Sequence, residues 1–136
     1  MRELYFKIVA STIYTMKNGN FMGAWKFMSL FILSINFMLN ILSVWLIIDG
    51  FVYPGFTAFL EVNFIDNMFY NRLVYLFVYL FAPLFLLNYV VVFAKNRCEL
   101  ILSQSEKIND RKMFAIHFFG SFLVCYICLM INLFAK

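Results

Sequence analysis

Three stretches of the chain, residues 27–48, 73–93 and 113–134, run for more than twenty residues each without an Asp, Glu, Lys or Arg. A bilayer hydrocarbon core about 30 Å thick is crossed by about 20 helical residues, so each stretch is long enough to span it. Lipid offers no partner to a bare backbone amide, which leaves helices and closed barrels as the only spanning structures. These runs lack the polar and apolar alternation of barrel strands. The expected fold is an all-α integral membrane protein with three transmembrane helices in one domain. Composition agrees, with 65% of the 136 residues hydrophobic and 13% charged. Soluble domains carry about 45–50% and about 25%, and a soluble core of this size could not hide 19 Phe and 8 Met.

Orientation follows from the basic residues. Arg2, Lys7, Lys17 and Lys26 precede the first run, and Lys95, Arg97, Lys107, Arg111 and Lys112 lie in the second connection, 94–112. The first connection, 49–72, carries Asp49, Glu61 and Asp66, with only Arg72 at its far edge. The positive-inside rule then puts the N-terminus and the 94–112 segment in the cytoplasm and the C-terminus outside. The overall charge of +4 is accounted for by this topology. No cleavable secretion signal is expected, because the chain has no uninterrupted apolar stretch before Phe21. The lack of targeting features points to a bacterial inner membrane.

Residues 3–17 gather Tyr5, Ile8, Val9, Ile13 and Met16 on one side of a helical wheel and Glu3, Lys7 and Ser11 on the other. This pattern suits an N-terminal amphipathic helix lying in the cytoplasmic interface; a helix packed against the spans is the alternative. Asn18, Gly19 and Asn20 form the turn that follows. The aromatic 49–72 connection is expected at headgroup level with a tight turn at Tyr53-Pro54-Gly55-Phe56, a re-entrant segment being the alternative.

The spans themselves are not uniformly apolar. At 100° per residue Ser29, Asn36, Asn40 and Ser43 fall on one strip of the first span. His117, Ser121, Cys128 and Asn132 fall on one strip of the third, with Gly120 and Cys125 on its shoulders. Polar groups against lipid are costly, so both strips should face protein or a water-filled space. Equal rise along parallel spans puts Asn36 near the level of Ser121 and Asn40 near Cys125 and Cys128. Asn88, on the oppositely directed second span, falls near the level of His117, and a hydrogen bond between the two is the specific expectation.

As structure, such strips let helices approach closely and hydrogen-bond. As function, they would line a path through an oligomer. Three helices enclose no lumen, and the spans contain no charged side chain to select ions, so the structural reading is preferred. Cys125-Tyr126-Ile127-Cys128 has the spacing of thiol oxidoreductase and zinc sites, yet it lies mid-span without a nearby cation, second cysteine pair or further metal ligands. Buried small residues are the expected role of the pair, and a packing group that of His117, the only histidine. Pro83 is expected to kink the second span by removing the bond to the Tyr79 carbonyl. Arg72 and Tyr75 should reach the headgroups. The 94–112 segment is expected to prolong the second helix through Cys98 and Leu102, with Asn109 or Asp110 capping the third.

No phosphate loop, catalytic triad, metal cluster or internal repeat is visible, so neither enzyme activity nor a cofactor is expected. The mixed, short charge clusters exclude a nucleic-acid surface. Three functions remain: a small non-enzymatic protein acting through helix association, as a homo-oligomeric pore or membrane effector; an accessory or immunity-type subunit of a larger membrane complex; and, least supported, a membrane thiol oxidoreductase. The expected partners are the lipid bilayer and either further copies or a larger membrane protein.

Overall fold

The computed structural model describes residues 2–19, 23–52, 68–94, 97–105 and 111–135, and all regular structure among them is helical. Helix α1 is Arg2–Lys17. Helix α2, Trp25–Ile47, is continued by a wide π-helical turn, Ile48–Val52. Helix α3 covers residues 68–93, α4 is Arg97–Ser105 and α5 is Arg111–Ala135. Three segments, Trp25–Val52, Leu76–Phe93 and Lys112–Phe134, are long and apolar enough to cross a membrane, as an all-α membrane protein requires. The Pro54-Gly55 turn, the re-entrant alternative and the Asn109 and Asp110 caps lie outside the described residues, as does the Arg72 side chain.

Helix α2 stands in the middle. Both α3 and α5 pack along it, while among the described residues α3 and α5 do not pack extensively on each other. The two seams differ in chemistry. Against α3 the contact is aromatic: Phe27 meets Phe85 at 6.0 Å between ring centroids, Phe31 meets Phe81 at 5.5 Å and Trp45 meets Tyr75 at 6.4 Å. Against α5 it is built from small and polar residues, with Ser43, Ser121, Cys125 and Cys128 all buried. Small side chains let backbones approach, whereas edge-on and tilted rings fill a wider gap.

Helix α1 follows the second of the two arrangements that its sequence allows. Val9, Ala10, Ser11, Thr12 and Ile13 are 0%, 3%, 1%, 1% and 0% exposed. Five consecutive residues turn through more than a full circle, so no side of the helix is left for headgroups over this stretch. Helices α2, α4 and α5 all pack on α1, and Val9 and Ile13 share a core cluster with Leu33, Val92, Cys98 and Ile101. Over residues 9–13 the helix is packed against its neighbours, with Cys98 and Ile101 of α4 in the same cluster as Val9 and Ile13, while Glu3 and Lys7 of the polar face stay exposed.

That covering requires a break where continuity was expected. Ala94 adopts an extended conformation, φ −68° and ψ 144°, which ends α3 and lets the chain fold back into α4 as a separate helix. Helix α3 is also irregular within the span. Leu76–Phe81 forms a π-helical stretch, and the Ala82 amide bonds the Phe77 carbonyl five residues back. Pro83 follows in the first turn of the α-helical segment Ala82–Asn88. The widened turn lies directly before Pro83, where proline removes a backbone donor, so the helix is irregular at the position where the sequence places its break. Helix α2 likewise continues past its expected end, carrying Asp49 to a buried position at 2% exposure.

If α1 is an enclosed core helix, Ile13→Ala should cost roughly 2–4 kcal/mol in detergent unfolding experiments, as large-to-small core substitutions do. Leu4→Ala, at a site 54% exposed, should cost less than about 0.5 kcal/mol.

Candidate functional site

The polar strips are turned inward, and most of their capacity is used inside the chain. Ser29, Asn36, Ser43, Asn88, Ser121 and Asn132 are buried; Asn40 and His117 are half-buried. The serines bond their own helices. Ser29 Oγ donates to the Trp25 carbonyl at 2.7 Å, Ser43 Oγ to Leu39 at 2.7 Å and Ser121 Oγ to His117 at 2.8 Å. A hydroxyl satisfied on its own backbone behaves toward its neighbours as a small residue. These serines therefore thin the α2–α5 seam, with the Cys125 thiol in hydrogen-bond reach of Ser43.

The asparagines make the links between helices. Asn132 Nδ2 donates to the Leu46 carbonyl at 2.9 Å, joining the far end of α5 to α2. Gly50 makes room for it, because a Cβ there would stand 2.9 Å from Asn132 Nδ2. Asn88 has two partners, neither expected from sequence. Its Nδ2 donates to Ser34 Oγ at 3.2 Å, and its Oδ1 accepts from the Tyr5 hydroxyl at 3.4 Å. Ser34 in turn donates to the Leu30 carbonyl at 2.7 Å. This buried relay ties α1, α2 and α3 together. Ser34 points away from the Asn36 strip on the helical wheel, and Tyr5 reads as one of several apolar residues of α1, so neither stood out in the sequence.

The expected bond between Asn88 and His117 is not formed. The Tyr5 ring, 5.8 Å from Phe37, and the Phe37 ring, 6.0 Å from His117, connect the two residues through apolar contacts instead.

Asn36 is different. It is fully buried, and among the described residues neither its Nδ2 nor its Oδ1 has a hydrogen-bond partner. Such an amide costs about 1–3 kcal/mol for each unsatisfied group.

The three cysteines are buried free thiols. Outside the spans, burial pushes the Cys98 thiol above its ordinary range; Lys26 pulls it down, Glu99 pushes it up and Lys17 pulls it down to lesser extents. A protonated, buried thiol is a poor nucleophile. Among the described residues no group of three or more His, Cys, Asp or Glu side chains could hold a metal ion. Neutral hydrogen bonding and close packing are the chemistry that the strips offer.

Combining Asn88→Ala with Ser34→Ala should cost less than the sum of the two, each being worth about 0.6–2 kcal/mol, because both remove the same bond. Combining Asn88→Ala with His117→Ala should be additive. Gly50→Ala should destabilise about as much as Asn132→Ala, by displacing the amide from Leu46. Denaturation in mixed micelles measures all of these. Comparison of the chain with protein-family models, with curated proteins and with solved structures finds no match, so the strips are read from their own residues alone.

Proposed function

We propose that this chain is a non-enzymatic membrane module that works by association, packing its apolar span faces against further copies or a larger membrane protein, with its basic connection on the cytoplasmic side of a bacterial inner membrane. The observation that carries the reading is the division of labour within the spans. Polar groups are turned inward and largely consumed by contacts within the chain. What faces outward is large and apolar, including Leu86, Leu87 and Val90 on α3 and Ile116, Phe119 and Leu123 on α5. Only 22%, 17% and 17% of the residues in the three span windows are buried, which leaves most of each helix available to lipid or to another helix. Association between helices in lipid rests on packing and a few hydrogen bonds rather than on the hydrophobic effect. Broad, shape-bearing aromatic and aliphatic faces suit it.

A homo-oligomeric pore is the second reading, favoured by the unpartnered Asn36 amide and the half-buried Asn40 next to it. The module reading holds that reconstituted protein gives no current above the bare bilayer. Asn36→Leu and Asn40→Leu should then leave the mass of the native assembly unchanged, while Leu87→Trp or Leu123→Trp should reduce it. Currents abolished by the two asparagine variants would establish the pore and remove the module reading.

A further inference from the structure

Helix α5 has two faces of different character. Ser121, Cys125, Cys128 and Asn132 are buried inside the bundle, whereas Phe119, Leu123, Tyr126 and Leu133 are 67%, 60%, 61% and 63% exposed. Along the outward face Phe119, Leu123, Tyr126, Met130 and Leu133 follow one another at spacings of four, three, four and three residues. That alternation keeps side chains on one narrow seam, and it is the spacing with which two parallel helices interlock over several turns. A shallow apolar groove accompanies the outer half of the seam, lined by Tyr126, Ile127, Met130, Ile131 and Phe134.

Of these five residues Tyr126 alone carries a polar group, and it does so deep in the span. It stands eight residues before Phe134, and its neighbour Cys125 lies beside Ser43, nine residues before Val52. At about 1.5 Å per residue the two rulers put Tyr126 about 12–14 Å inside the ends of those spans. Side chains on a helix lean toward its N-terminus, which for α5 is the Lys112 end, so the phenol is carried away from the nearer headgroups. A hydroxyl facing acyl chains at that depth has nothing to bond and is costly there.

We infer that this face of α5 is the seam of a parallel homodimer, in which the Tyr126 hydroxyls of two copies hydrogen-bond each other across a two-fold axis. The inference rests on the association reading above and names its partner and its surface. A second copy is the occupant that the polar group selects. An acyl chain can fill an apolar groove but brings neither donor nor acceptor to it. Copies inserted with one orientation carry Tyr126 at one depth, and a phenol both donates and accepts, so each hydroxyl can satisfy the other. Residues in the layers of a parallel two-fold seam meet their own counterparts, which sets Tyr126 opposite Tyr126.

Leu123→Cys and Met130→Cys lie about one turn to either side of Tyr126 and leave its hydroxyl in place. Each is made in a chain carrying Cys98→Ala, Cys125→Ala and Cys128→Ala and oxidised with copper–phenanthroline in the membranes of the expressing cell. Both should give covalent dimers, at least about ten-fold more than Leu87→Cys on α3, because seam positions bring paired Cα atoms within the roughly 7 Å that a disulfide can bridge. The same changes in the chain with its native cysteines serve if the triple replacement misfolds, the unmodified chain giving the background. Tyr126→Phe keeps the ring and removes the hydroxyl. It should weaken dimerisation about 3- to 30-fold, measured by energy transfer between labelled copies in micelles, as loss of an interhelical hydrogen bond does. A dimer unweakened by Tyr126→Phe would overturn the hydroxyl pair and with it the inference. Dimers linked through Leu87→Cys alone would overturn it too, while leaving the association reading intact on another face. A chain that stays single and unlinked would also sink it, and would leave that reading to a larger membrane protein.

Discussion

An amide or hydroxyl placed in hydrocarbon can bond only to protein, and the arrangement of this molecule follows from that constraint. It makes every described segment helical, because a helix satisfies its own backbone. It buries Ser29, Asn36, Ser43, Ser121 and Asn132 inside the bundle. It also explains why the serines bond their own carbonyls while the asparagines, with longer side chains and two kinds of polar atom, reach across to Leu46 and Ser34. Asn36 is where the constraint is least well met, which makes it the most informative polar residue in the spans.

Helix α1 changes the character of the bundle. Three spans in a row around α2 would leave the inner half of the seam open, and α1 fills that space with a helix buried on all sides between residues 9 and 13. Filling it with an amphipathic helix has a consequence at the other end. The residues that an interfacial helix would present to water, Glu3 and Lys7, stay exposed while Val9 and Ile13 of the same helix are buried.

The irregularities of α3 serve the same geometry. Its two π-helical stretches flank the segment that contains Pro83 and Asn88, the first accommodating the proline and the second ending in the extended Ala94. A regular helix continuing to Leu102 would have carried Cys98 and Ile101 away from the bundle. The break returns them to α1, where they complete its enclosure.

By itself the sequence determined the number of spans, their helical nature and the inward direction of the polar strips, because each depends on run length and periodicity within one segment. Only the tertiary structure decided that α1 is enclosed, that α4 is a separate helix lying over it, and that Asn88 bonds Tyr5 and Ser34. Periodicity says which side of a helix avoids lipid, whereas the neighbour that side meets depends on how other segments pack. Residues 3–17 show the difference: one amphipathic pattern satisfies a membrane surface and a protein groove equally, and the covering helix α4 decides between them.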